Sequence, residues 1–335
     1  MKRITGFILL LLLGLVTPGN DVQFGGFVQT WFSYGQQNDG NPPALGFTFR
    51  RVRFHGKGAF SNTVDWYLAA GWDRENPNLT AARITFRLAP QLQFSIGKFP
   101  VPGSPSGSLT DSSRLDFVER PMIIQRWGEL SRLDEYRSVG IQVDGALMEN
   151  RIYYALMVFN PDAAALFNPS VKNHAYTGGT AIQYAGRIEV TVLEGIRFGG
   201  FFLQGKDTRN DVTNESFGIH GFYRKQAVNA RIEYLFGENR YAIAGSPLEY
   251  RGLLVKMGYR IQTIEPVIRF DEYREQGAWG LITVKRTTNL TLGINYRPGP
   301  HLKLQANYVV RDESMVGGLA AIKNNLFYAN LQYSL

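Results

Sequence analysis

The run LGFTFRRVRFHGKGAF, Leu45 to Phe60, sets an aromatic segment against a crowd of cations. Arg51, Arg53, His55 and Lys57 fall on one parity, while Val52, Phe54 and Phe60 fall on the other. A period of two is that of a strand with one polar and one apolar face. Arg50 has the wrong parity, which predicts either a bulge or a place at the outer rim.

The same period recurs along the chain. In TVDWYLAAGW, Val64, Trp66, Leu68, Ala70 and Trp72 oppose Asp65, Tyr67, Ala69 and Gly71. Ile84, Phe86 and Leu88 oppose Arg83, Thr85 and Arg87, and Leu304, Ala306 and Tyr308 oppose Lys303, Gln305 and Asn307. A soluble sandwich also alternates, but its strands average about five to six residues. Here they run longer, with aromatics toward the ends of the apolar rows as in membrane girdles. The pattern therefore predicts an all-β protein: a transmembrane antiparallel β-barrel of about sixteen strands, from 22–33 to 323–335. The eighth and ninth, placed at 177–190 and 195–206, divide least clearly.

Composition agrees with many strands and turns. Of 335 residues, 22 are Phe, 17 Tyr and 36 Gly, with no Cys and a formal charge of +8. Lys2 and Arg3 precede the apolar run Phe7 to Val16 and the small end Thr17-Pro18-Gly19. That order predicts a secretory signal peptide over 1–19 and a barrel domain over 20–335. Beyond it no run of eighteen apolar residues predicts a membrane helix. Exported without disulfides, the chain is expected to gain its stability from a closed ring of strand hydrogen bonds.

Connections alternate between short turns and longer segments, the longest being 100–135. It begins PVPGSPSG, and its middle holds Leu115, Phe117, Val118, Met122, Ile123 and Ile124. This content predicts a loop folded inward against the wall, narrowing the channel. Arg114, Arg120, Arg126 and Arg132 recur every sixth position, so some are expected in the constriction, tempered by Asp111, Asp116, Glu119 and Glu129.

Motifs for catalysis are absent from the sequence. No G-x-S-x-G, P-loop or H-E-x-x-H occurs, the four His lack metal-ligand spacing, and no cofactor is called for. His220 with Ser216 on one row leaves a lipid-hydrolysing barrel as a weak rival, with plain lumen lining the favoured reading. The polar rows carry more bases than acids. Arg51, Arg53, Lys57, Arg83, Arg87 and Arg151 come from the first half; Arg224, Arg231, Lys256, Arg260, Arg269 and Lys303 come from the second. Against these stand Asp65, Asp73, Asp144, Glu233, Glu265 and Asp271. In a water-filled pore such a surplus concentrates anions, and an Arg fork suits oxyanions.

Several elements together resemble the phosphate-selective porin O and P family: FRRVRFHGKGAF, VDWYLAAGWD, SIGKFPVPGS, DFVERP at 116–121, and RSVGIQVDG at 137–145. The order and spacing match from about residue 22 to 160. Here Lys98 precedes Phe99, Ser138 stands where the family usually has Asp, and Gly103 and Pro105 alter the loop entry. The resemblance implies a sixteen-stranded outer-membrane barrel, usually trimeric, whose third external loop folds into the pore. It carries over to Arg50, Arg51 and Arg53, to Lys98, and to Glu119 and Arg120. The expected function is a diffusion channel for small hydrophilic or anionic solutes such as phosphate, without nucleic-acid partners. A specific phosphate, polyphosphate or organic-anion channel is the alternative. The expected pore-lining set is Arg51, Arg53, Lys57, Arg83, Arg87, Lys98, Arg114, Arg120 and Arg126.

Overall fold

Strand β1 (Gln23–Gly35) is antiparallel to both β2 (Ala44–Ser61) and β17 (Leu326–Ser334), which closes the sheet on itself. The computed structural model describes residues 22–36, 44–73, 76–131, 133, 136–160, 182–207, 212–241, 247–277, 284–316 and 322–335. The expected signal peptide, 1–19, lies outside them, as does Arg132.

Between these ends come β3 (Val64–Asp73), β4 (Asn76–Ala89), β5 (Leu92–Pro100), β6 (Arg137–Leu147), β7 (Ile152–Phe159) and β8 (Gln183–Leu193). Then follow β9 (Ile196–Asp207), β10 (Val212–Lys225), β11 (Val228–Tyr241), β12 (Leu248–Tyr259), β13 (Ile264–Gln276), β14 (Val284–Tyr296) and β15 (Leu302–Val316). A two-residue piece, β16 (Ile322–Lys323), continues into β17 and pairs with β15, so the described strands make sixteen antiparallel staves. Each stave is hydrogen-bonded to a neighbour on both sides, so the ring has no free edge, which is what a bilayer demands of a sheet.

The alternation read from sequence is the alternation of faces. Phe47, Phe49, Phe54, Trp72, Ile84 and Phe86 are exposed on the outside, whereas Arg51, Arg53, Thr85 and Ser95 are buried within. At the C-terminus Leu331, Tyr333 and Leu335, which share one parity, point outward. The ladder settles Arg50. Gln29 pairs with Arg51 and Thr30 with Phe49, so Arg50 is the extra residue of a β-bulge.

The division of the eighth and ninth strands falls at Glu194-Gly195. Gly195 has φ +81°, and a Cβ there would lie 2.4 Å from the Arg224 carbonyl oxygen. Only glycine turns the chain at that point. Short turns such as Met148–Asn150 and Gln226-Ala227 lie at the end of the barrel that holds both termini.

The described residues of 101–136 leave the opposite end and fold into the barrel. They form a π-helical turn (Pro105–Leu109), a 3-10 turn (Ser112–Arg114) and an α-helix (Met122–Leu130). Ile123, Ile124, Trp127 and Leu130 recur at helical spacing and are buried. They pack against Met157, Phe159, Phe201, Leu203, Leu235 and Tyr273, inward-facing side chains of β7 to β13. The barrel thus has an apolar core on one side of its interior, where a water-filled lumen would otherwise be polar.

Candidate functional site

The folded-in segment is fixed to one wall by polar contacts spanning its whole length. Glu233 on β11 accepts from the Ser104 hydroxyl at 2.6 Å, from Ser106 N at 3.0 Å, and from the Ser106 hydroxyl. Asn214 and Asn239 donate to the Leu130 carbonyl at 3.0 and 3.1 Å, and Trp127 Nε1 donates to Ser216 Oγ at 3.0 Å. Val118 N donates to Asn307 Oδ1 at 2.6 Å, and Met122 N to Asp271 Oδ2 at 3.3 Å. The segment therefore leans on β10 to β15.

Four of the bases read as lumen lining are consumed by this contact. Lys256 pairs with Asp116, and Arg269 donates to the Glu119 carbonyl at 2.7 Å while bridging Asp271 at 2.8 Å. Lys303 donates to the Ser113 and Leu115 carbonyls at 2.8 and 3.1 Å, and Arg231 donates to Ser106 Oγ at 2.9 Å. These cations hold the loop. Burial alone would raise the Asp116 carboxyl, but the Lys256 ammonium and its hydrogen bond hold it below the ordinary carboxylate value.

The remaining passage is bounded by β1 to β6 on one side and the loop on the other. A cavity of about 280 Å³ lies there, lined by Arg50, Arg51, Asp73, Glu119, Arg120 and Arg137 among others. Arg50 and Arg51 stand over the Trp31 ring, at 4.8 and 5.8 Å from its centroid, and both bridge Asp73. The bulge brings two adjacent guanidinium groups to one carboxylate, which an unbroken strand would point to opposite faces. Arg53 is buried on the same row.

The other predicted residues fall into different settings. Arg83 lies 6.0 Å from the Tyr67 ring centroid and has no ion pair among the described residues; nor does Lys57, an exposed side chain opposite Tyr67. Arg87 pairs with Asp65 near the short-turn end. Lys98 follows Gly97, whose φ is +127°, and it donates to Asn78 Oδ1 at 3.5 Å. Arg114 is exposed in a second cavity of about 380 Å³, shared with Arg224, Arg260, Glu265 and Arg297.

Arg120 crosses the loop, donating to the Ser106 and Thr110 carbonyls, the latter at 2.8 Å, and standing 4.9 Å from the Tyr136 ring centroid. Burial, with Arg51 and Arg137 nearby, lowers it to about 10, so it keeps its charge at neutral pH. Arg126 bridges Glu129 and Glu275, which ties the helix to β13. The arrangement thus leaves Lys57, Arg83 and Arg120 without a carboxylate partner among the described residues. Arg87 and Arg126 are paired with carboxylates, whereas Arg51 shares Asp73 with Arg50.

Ser216 and His220 form no hydrolytic pair. Ser216 receives the Trp127 indole, and His220 Nε2 lies 3.1 Å from Glu189 Oε1, beside Arg187. The expected pore-lining set leaves out Arg137 and Arg50, although the resemblance and the parity both single out Arg50. Arg137 opens β6 opposite Pro100, and its "R-S-V-G" start was the available signal.

Residues 22–195 match the family model of the phosphate-selective porin O and P. No curated protein matches the chain. Among solved structures the barrel is similar to an anion-selective porin from Comamonas acidovorans, with TM-score 0.73 and 11% identity over 94% of this chain and 100% of that one. It is also similar to a loop L8 deletion mutant of OmpT from Vibrio cholerae, with TM-score 0.70 and 13% identity over 94% and 99%. The trimer form of OmpT gives TM-score 0.69 and 14% identity over 94% and 99%. At such identities the likeness is one of fold.

Proposed function

The chain belongs to the phosphate-selective porin O and P family, and on that premise we propose that its outer-membrane pore prefers anions and passes small hydrophilic solutes by diffusion. The observation that carries the preference is the set of cations facing the passage without carboxylate partners, Lys57, Arg83 and Arg120. A surplus charge beside low-dielectric walls raises the local anion concentration and lowers the barrier to anion entry. Anion selectivity of the Comamonas acidovorans porin is in keeping with this reading.

The working form is a homotrimer of chains cleaved after residue 19, with 20–335 as the barrel domain and 100–135 as its constriction. The trimer form of OmpT is one precedent in this fold. Planar-bilayer recording tests the preference: under a KCl gradient, wild type should reverse on the anion side of zero. Reversal on the cation side would overturn it.

A second reading, a channel specific for phosphate, polyphosphate or an organic anion, is favoured by Arg51, Arg120 and Arg137 around one cavity. Guanidinium forks can donate two parallel hydrogen bonds to an oxyanion. Block of chloride current by low concentrations of phosphate separates the two readings. Its absence leaves the general pore.

A further inference from the structure

The outside of the barrel carries a row of like charges that its own side chains do not satisfy. Arg251 on β12 is directly opposite Arg274 on β13, and Arg274 is opposite Arg286 on β14. Like charges at directly opposed positions repel. Glu272 takes two of them, accepting from Arg274 Nε at 2.5 Å and Arg286 Nη2 at 2.7 Å. Arg251 is exposed and makes no hydrogen bond or ion pair among the described residues. Of the three cations in the row, two share one carboxylate and the third has none, on the face away from the pore.

Their height on the barrel narrows what binds there. Below Arg251 the outward positions of β12 are Leu253, Val255, Met257 and Tyr259; below Arg274 on β13 they are Glu272, Phe270 and Ile268. From Tyr259 to Arg251 is about 27 Å of strand, or about 21 Å of height at a tilt of about 40°. The arginine row thus sits at the upper edge of the apolar belt, where headgroups begin. One row higher, Glu215, Glu238 and Glu249 are opposed on β10, β11 and β12, a row of carboxylates that repels an anion. A cavity of about 520 Å³ lies here, its lining taking Phe217, Phe236, Arg251 and Arg274 together with Glu215, Glu238, Glu249 and Glu275.

We propose that Arg251, Arg274 and Arg286 bind the phosphate of an anionic lipid of the surrounding membrane, whose acyl chains lie on the apolar side chains below. Several phosphate oxygens bridge neighbouring guanidinium groups and relieve their repulsion. A free phosphate has no use for the apolar floor, and the bilayer supplies both parts in one molecule. The inference rests on the barrel lying in a membrane and is independent of which solute the pore passes.

Native mass spectrometry of the full chain in detergent, titrated with diphosphoryl lipid A, tests it. Wild type should bind one lipid at least ten-fold more tightly than Arg251→Gln/Arg274→Gln/Arg286→Gln. A glycolipid without phosphate should not distinguish the two. Arg251→Gln alone leaves both Glu272 pairs in place, so it keeps the test independent of folding, with an expected loss of a few-fold. Equal lipid binding by wild type and both variants would overturn the proposal. So would displacement of the lipid by equimolar inorganic pyrophosphate, or a variant that loses only its oligomeric state, since the row would then join copies of the chain.

Discussion

The Glu233 carboxylate accepts the Ser104 hydroxyl at 2.6 Å, although 129 residues separate the two in sequence. This contact, with the two from Ser106, fixes where the folded-in segment begins its descent. The passage is therefore the space left between a loop held on one wall and the cations of the other.

Replacing Glu233 with Gln keeps the shape and removes the charge. Hydrogen bonds to charged groups contribute about 1.5–3 kcal/mol each when partners stay buried, so loop docking should weaken by about that much. Limited proteolysis of the folded barrel should cut within 100–135 faster than in wild type, and single-channel current should become noisier. Unchanged cleavage would assign the anchoring elsewhere.

Trp127 is fully buried, its indole bonded to Ser216, and it is packed on Tyr136 and Phe201. Trp127→Ala should cost about 3–5 kcal/mol. Because the strand ladder does not depend on it, the loss should fall on the loop. Heat-modifiable gel migration should persist while conductance rises.

Acid should act late. The Asp116 carboxyl is held below its ordinary value, so its pairing with Lys256 is present above about pH 4 and is lost as pH falls through the lowered value. Conductance should stay level from about pH 8 to pH 5 and change below about pH 4. A change centred near neutrality would point to a different group.

Much of the barrel was legible because period two is a local property. Val52 against Arg51, or Leu304 against Lys303, can be assigned to faces from adjacent residues alone, and the wrong parity of Arg50 announced its bulge. The uses of the lumen cations were not legible. Lys256, Arg269 and Lys303 look like Arg83 in sequence, yet their partners lie on the loop 140 or more residues away. Nor did the polar-row pattern reveal that Phe201, Leu203 and Leu235 face inward, since their reason is the helix Met122–Leu130. Its own signal, Ile123, Ile124, Trp127 and Leu130 at helical spacing, is short and set among Pro and Gly.

The central claim is that cations without carboxylate partners set the pore's preference, and Lys57→Glu with Arg83→Glu addresses it most directly. A unit charge about 4 Å from a passing ion is worth about 1 kcal/mol even at the dielectric of bulk water. Two reversals should thus lower the chloride-to-potassium permeability ratio by at least about five-fold. Measured as a reversal potential under a KCl gradient, the shift should run toward cations with the barrel still folded. A reversal potential equal to wild type would contradict the account and place these side chains off the permeation path.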